Sequence, residues 1–396
     1  MRSLEEQLAG CLELAEPLPA LEVVLRDALG CMAAVDVTAP VDLPGMDVAT
    51  CEGYAVPAEV CPDGALRVLD DLLAGAPDAG RVIPGTAVRV ASGCMLPLGS
   101  DAVVPARETD GGLAEVVLRR APVPGENMRR QGSDVAAGDV VVPAGRRIGS
   151  RQLGLLAAVG IGRVPVAPRP RVVVLPVGSD LVEAGRPPVT GSVFDASGHA
   201  LVGAATEHGA AARRVVAAPD DRAGLRETVE DQLVRADLLV IAGGQGAGRA
   251  DTVPDVLAAL GEVRFDDVAF SPGGRFGFGV VEGVLVAALP GDPVAAQIVF
   301  DLVLAPVIRR LAAAEPARPA VQLCATSGAG WPSPAGRRQY VPVTLRKGED
   351  GGSTCEPVGH PARPTLKDLA GADALAVVPE DVDAVAPGDE LDCVGR

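Results

Sequence analysis

The chain has 396 residues, enough at roughly 100–200 per domain for two to four folding units. Its net charge of −17 argues against nucleic acid or an anionic membrane as a general partner, because both repel an acidic surface. Hydrophobic residues are 48% of the chain and aromatics only 2%, so its cores must be built from Val, Leu and Ala.

No run approaches roughly 18 uninterrupted apolar residues, and acids stand in the opening MRSLEEQLAG where a secretion signal would be apolar. A cytosolic location is expected. Eight cysteines without a CxxC pair, with only three histidines, make an ordinary zinc site unexpected.

Leu4, Leu8, Cys11 and Leu12 recur at helical spacing behind Ser3, with Glu6 placed to complete a capping box. A second helix is expected over 21–30, then a strand leaving through Pro44–Gly45. From 43 to 135 short β-runs cut by Gly and Pro (87–92, 101–106, 114–120, then 139–145) predict a β-rich insert domain. Residues 147–160 read as helix again, so one discontinuous helical domain (1–42 and 136–170) flanks the insert.

Residues 171–314 alternate unbroken apolar strands with helices, the pattern of a doubly wound parallel sheet. Its strands are RVVVLPVG, ARRVVAA and DLLVIAGG, followed by two short ones, FGFGVV and GVLVAALPG; DPVAAQIVFDLVLAPVIRRL reads as one long closing helix. Residues 318–396 return to short strands and predict a C-terminal β domain. The expected fold is therefore multidomain α/β.

In open α/β sheets ligands bind beyond the C-terminal strand ends, here Pro176–Asp180, Gly243–Gly248 and Pro290–Asp292. GGQGAGRAD places Gly243, Gly244, Gly246 and Gly248 between a strand and a helix, where backbone N–H groups can close around a phosphate. The alternative is a glycine turn without a ligand. Asp180, Asp195, Asp220, Asp221 and Asp251 gather at this rim, able either to hold Mg²⁺ beside substrate phosphates or to cap helices. In ENMRRQGSD, Arg129 and Arg130 suit an anion, or form a solvated surface pair.

Ten segments carry a resemblance to the MoeA/gephyrin E-domain family. They run in family order, from PVDLPGMDVATCEGYAV (40–56) and RVASGCMLPLGSDAVVPARET (89–109) through ENMRRQGSD, VGSDL, VFDASG, GGQGAGRAD, SPGGRFGFG, LPGDPVAA and GRRQYVPV to LAGADALAVVPE (369–380). The resemblance implies a homodimer of four-part protomers whose third part is a MogA-like doubly wound domain. It also implies an active cleft between that domain and the β-insert of the partner. The family reaction takes the anionic substrates molybdate and adenylylated molybdopterin, uses Mg²⁺, and releases molybdenum cofactor and AMP. Carried onto this chain, Glu52, Ser92, Asp134, Asp180 and Asp251 fall at catalytic positions, with Glu52, Asp180 and Asp251 near the metal. Arg129, Arg130, Arg275 and Arg337 join the glycines on phosphate.

Several motif positions differ. Glu52 stands for the Asp of MDGYA, Ser92 for a Thr, and Gly178-Ser179-Asp180 for the GDE run. Ser271 and Gly274 replace both lysines of KPGKP, with Arg275 following at once, and Asp292 replaces an Asn. Two lost cations and an added acid make the cleft less welcoming to anions unless Arg275 and Arg363 compensate, since one charge-assisted contact is worth roughly 1.5–3 kcal/mol. Three functions fit: a molybdopterin molybdenumtransferase with an altered site, a dimeric scaffold that binds a protein partner, or a paralogue recruited to another nucleotide- or phosphate-dependent reaction.

Overall fold

The computed structural model describes residues 1–57, 59–60, 64–187, 190–246, 251–314, 323–348 and 352–395. Two units emerge: Met1–Leu21, Gly30–Ala34 and Val166–Arg396 form one, and Glu22–Leu29 with Val35–Pro165 form the other.

Helix α1 (Leu4–Leu14) starts as expected, with Ser3 accepting from the Glu6 amide and Glu6 accepting in return. Its buried face, Leu4, Leu8 and Cys11, joins the core of the α/β sheet. The helix expected over 21–30 is not there: Leu21–Val24 is a strand, and only Leu25–Asp27 makes a 3₁₀ turn. Val23 and Val24 are β-branched and disfavour helix. The Leu25 amide donates to Gly162 O at 2.9 Å instead of to a helical ladder.

The insert is β-rich, as predicted. Strands β1 (Gly53–Val56), β2 (Ala65–Leu72), β3 (Thr86–Val90), β4 (Ala102–Pro105) and β5 (Glu115–Val117) form one sheet in the order β4-β1-β3-β2-β5. Its core is aliphatic around a single aromatic, Tyr54, which is 1% exposed. Two strands were unforeseen: β1 lies inside the signature segment, and β2 carries three charges that mask its alternation. Helix α2 (Ser150–Ala158) follows and stops at Gly160, whose φ of 81° favours glycine.

The α/β core comprises β6 (Arg171–Pro176), α3 (Ala196–Glu207), β7 (Ala211–Arg214), α4 (Arg222–Leu233), β8 (Leu238–Ala242), α5 (Val253–Leu260), β9 (Gly261–Asp267), β10 (Arg275–Val281) and β11 (Val284–Leu289). Strand order is β7-β6-β8-β11-β10-β9. The first four are parallel, as expected, whereas β10 runs antiparallel to both its neighbours, β11 and β9. The reversal follows from a two-residue turn, Glu282–Gly283, with φ of 49° and 82°, the geometry of a tight hairpin. Alternate residues bury on opposite faces. Val172, Val174, Leu238 and Val240 pack with α3, while Val173, Leu175, Leu239 and Ile241 pack with α4 and α5. Both faces are covered, which is why these strands read as unbroken apolar runs.

The predicted closing helix is interrupted. Helix α6 (Pro293–Val299) passes through a π turn at Phe300–Leu304 into α7 (Ala305–Leu311). Pro306 has no N–H to give, so a regular ladder fails there, and the wider turn absorbs the fault.

Strands β12 (Leu323–Ser327), β13 (Arg338–Lys347), β14 (Ser353–Pro357), β15 (Ala374–Val378) and β16 (Glu390–Gly395) follow, with helix α8 (Leu366–Ala370) between β14 and β15. They pair in the ring β13-β14-β12-β16-β15, and β15 pairs back onto β13 to close it. A short strand, Phe270–Ser271, pairs with Arg338–Gln339 at one end of β13. Among the described residues no helix is long and apolar enough to cross a membrane.

Candidate active site

Within the Val166–Arg396 unit, three parallel strands deliver their C-terminal ends to one rim. Beyond β8, Gly243 turns with φ of 99°, and a Cβ there would stand 2.6 Å from Val177 O at the end of β6. On its other side that Cβ would meet Gly291, just past β11. Only glycine lets the three ends approach this closely. At Gly246 a Cβ would stand 2.6 Å from Asp251 Oδ2, so the turn folds onto that carboxylate. Gly248 lies outside the described residues.

Hydrogen bonds tie the acidic loops of this rim together. The Ser179 amide donates to Asp220 Oδ2 at 2.9 Å, and the Asp220 amide donates back to Ser179 Oγ at 3.1 Å. Thr252, next to Asp251, donates its hydroxyl to Asp220 O at 2.9 Å. Asp180, Asp220 and Asp251 therefore share one edge, as their positions at strand ends predict. Asp195, Asp221 and Asp292 are helix caps, accepting from the amides of Gly198, Gly224 and Ala295.

Asp195 does more than cap. Its side chain is 2% exposed and accepts from Arg214 Nη1 at 2.8 Å; Arg214 also pairs with Glu183, which binds His199 Nε2 at 3.1 Å. The Arg214 guanidinium, helped by His199, holds the Glu183 carboxyl below its ordinary value. Asp195, Arg214 and Glu183 border a cavity of about 490 Å³ with Gly178, Ser179 and Arg186. Sequence reading missed Arg214, because one arginine in a strand gives no pattern.

Two cations reach the neighbouring edge. Arg275 opens β10 and is exposed; among the described residues it makes no ion pair. Arg337 arrives from the other direction, and its Nη1 lies 3.6 Å from where a Cβ on Gly274 would be. The pairing of Phe270–Ser271 with β13 sets this approach. A guanidinium thus stands beside Gly274.

In the other unit, Glu52 is exposed just before β1, and its carbonyl accepts from the Ala106 amide at 3.2 Å. Ser92 donates to Thr50 O at 3.1 Å, fastening its turn to the strand entry. The arginines are already engaged: Arg129 with Asp134, and Arg130 with Asp47 at 2.6 Å. Burial opposes ionisation of Asp47, but the Gln131 amide and Arg130 outweigh it and keep its carboxyl below the ordinary value. Asp47 was unforeseen, although it stands in the signature segment.

Among the described residues, no three of His, Cys, Asp and Glu converge as a ready metal cage. Magnesium would need only one or two of the rim carboxylates, completing its shell with water and substrate phosphates.

The fold and rim define a class of multidomain protein built on a doubly wound sheet with glycine-lined strand ends. Residues 2–160 match the MoeA N-terminal region (domain I and II), 173–310 a probable molybdopterin binding domain, and 325–394 the MoeA C-terminal region (domain IV). The chain is 39% identical to molybdopterin molybdenumtransferase 1 of Mycobacterium tuberculosis, over 99% of this chain and 98% of that one. It is 35% identical to molybdopterin molybdenumtransferase 2 of the same organism, with the same coverage. A molybdopterin biosynthesis MoeA protein from Pyrococcus horikoshii superposes with a TM-score of 0.80 at 29% identity, covering 99% of this chain and 98% of that one. The chain belongs to the MoeA family.

Proposed function

We propose that this chain is a molybdopterin molybdenumtransferase of molybdenum cofactor biosynthesis that works with an altered cation set. The observation that carries the reading is the strand-end rim, where the Gly243–Gly246 turn, Asp180 and Asp251 stand on the sheet that also presents Arg275 beside Arg337. In this reading the amides of the turn and the two guanidiniums hold the linked phosphates of adenylylated molybdopterin. Asp180 and Asp251 would hold magnesium beside those phosphates, where the ion would supply charge neutralisation. Glu52, Ser92 and Asp134 serve the same reaction, Glu52 as the acid nearest molybdate. The protein acts as a cytosolic homodimer, divided at 1–42 with 136–170, 43–135, 171–314 and 318–396.

The test is rescue of a transferase-null strain, read as nitrate reductase activity. Rescue by the wild-type chain but not by Glu52→Ala supports the reading; absence of rescue by the wild-type chain overturns it. A second reading, a scaffold for a protein partner, draws on a cavity of about 610 Å³ walled by Leu4, Leu8, Tyr340 and Val377 and rimmed by Glu5 and Asp392. Equal rescue by wild type and by Glu52→Ala favours it.

A further inference from the structure

Gln245 lies in the middle of the glycine turn, is nine-tenths buried, and was singled out by no sequence pattern. Its Nε2 donates to the backbone carbonyl of Arg275 at 3.0 Å, a contact 30 residues away in sequence. The last β10–β11 pair is Gly277 with Ala288, so two residues on, β11 offers Arg275 no partner. The Gln245 amide takes up that carbonyl across the end of β11.

The other half of the amide is unsatisfied. Among the described residues nothing donates to Gln245 Oε1, which is buried. A sealed, orphaned acceptor costs free energy that a leucine of similar size would not. Because that oxygen is shut away, a ligand contact does not account for the glutamine. The bond to Arg275 does.

Resting on the reading of the rim as a phosphate site, we infer that Gln245 is a positioning residue: it clamps the glycine turn to the start of β10 and so aims Arg275 at the phosphates. Turn amides and guanidinium are thereby set as one unit, which matters because charge-assisted contacts depend steeply on geometry. The clamp is specific to a chain whose cation sits at 275.

The experiment uses the full chain, with AMP as probe. Gln245→Leu removes both polar atoms, and Gln245→Glu keeps the shape while removing the donor; both carry the same expectation. Hydrogen exchange, read by mass spectrometry, should speed up in segments 243–246 and 271–277 together, with the thermal midpoint unchanged or raised in Gln245→Leu. AMP affinity by calorimetry should fall about tenfold, and neither change should weaken it further in an Arg275→Ala background. Equal losses in both backgrounds, or faster exchange confined to 243–246, overturn the clamp. A wild-type chain that does not bind AMP overturns the phosphate reading of the rim instead, and the exchange measurement then decides the clamp alone.

Discussion

The strand-end rim and the loops around Glu52 use the same residue types and manage their charge in opposite ways. In the Glu52 unit each cation singled out by the sequence has a local acid: Arg129 has Asp134, and Arg130 has Asp47. At the rim, Arg275 meets no acid among the described residues, while Asp220 is spent on a loop tie and Asp221 on a helix cap. A cation held by a neighbour must lose that neighbour before it binds an anion, whereas an uncommitted one has only water to shed. Residue type alone does not separate these cases. The partners do.

Four perturbations sharpen or break the contrast, taken from the largest expected effect. Glu52→Gln should lower cofactor formation at least a hundredfold in the rescue assay, the usual scale for losing a positioned acid or base; near-normal rescue would remove Glu52 from the chemistry. Arg275→Ala and Arg337→Ala should each weaken AMP binding roughly ten- to hundredfold, while Arg129→Ala changes it less than about threefold. A calorimetric ranking with Arg129 first would invert the comparison.

Asp195→Ala should destabilise the chain by about 2 kcal/mol in urea unfolding, because it leaves Arg214 only the more exposed of its two carboxylate partners, Glu183, and uncaps α3. Arg129→Ala, which breaks an exposed pair, should cost less than about 0.5 kcal/mol. The smallest effect concerns His208 in the α/β core. Burial, and then the Arg309 charge, push its pKa below the ordinary value of 6.5. The unfolded histidine takes the proton first, so this stability is present above pH 6.5 and is lost as pH falls toward the folded pKa. Denaturant midpoints should therefore decline in that window for the wild type and stay flatter for His208→Gln.

What could be read in advance follows the same division. Strands β6 and β8 were legible because burial on both faces leaves no polar interruption, and α1 because Ser3 and Glu6 mark its start. Leu21–Val24 was misassigned because a four-residue run fits either period, and a distant carbonyl, Gly162 O, decided the matter. Strand β9 was passed over because its charges fall on an exposed edge of the sheet. At the site, glycines and strand-end acids announce themselves by position. Arg214, Asp47 and Gln245 act through single long-range contacts, and such contacts leave no periodic trace.

The closed ring of β13, β14, β12, β16 and β15 has one more consequence. An open sheet offers two rows of idle amides and carbonyls to any neighbouring chain, whereas five strands paired side by side into a ring have no edge strand. Such a module can sit at high concentration without templating stacks of itself, and no flank is free for it to unravel from strand by strand. It should open as a whole or stay shut.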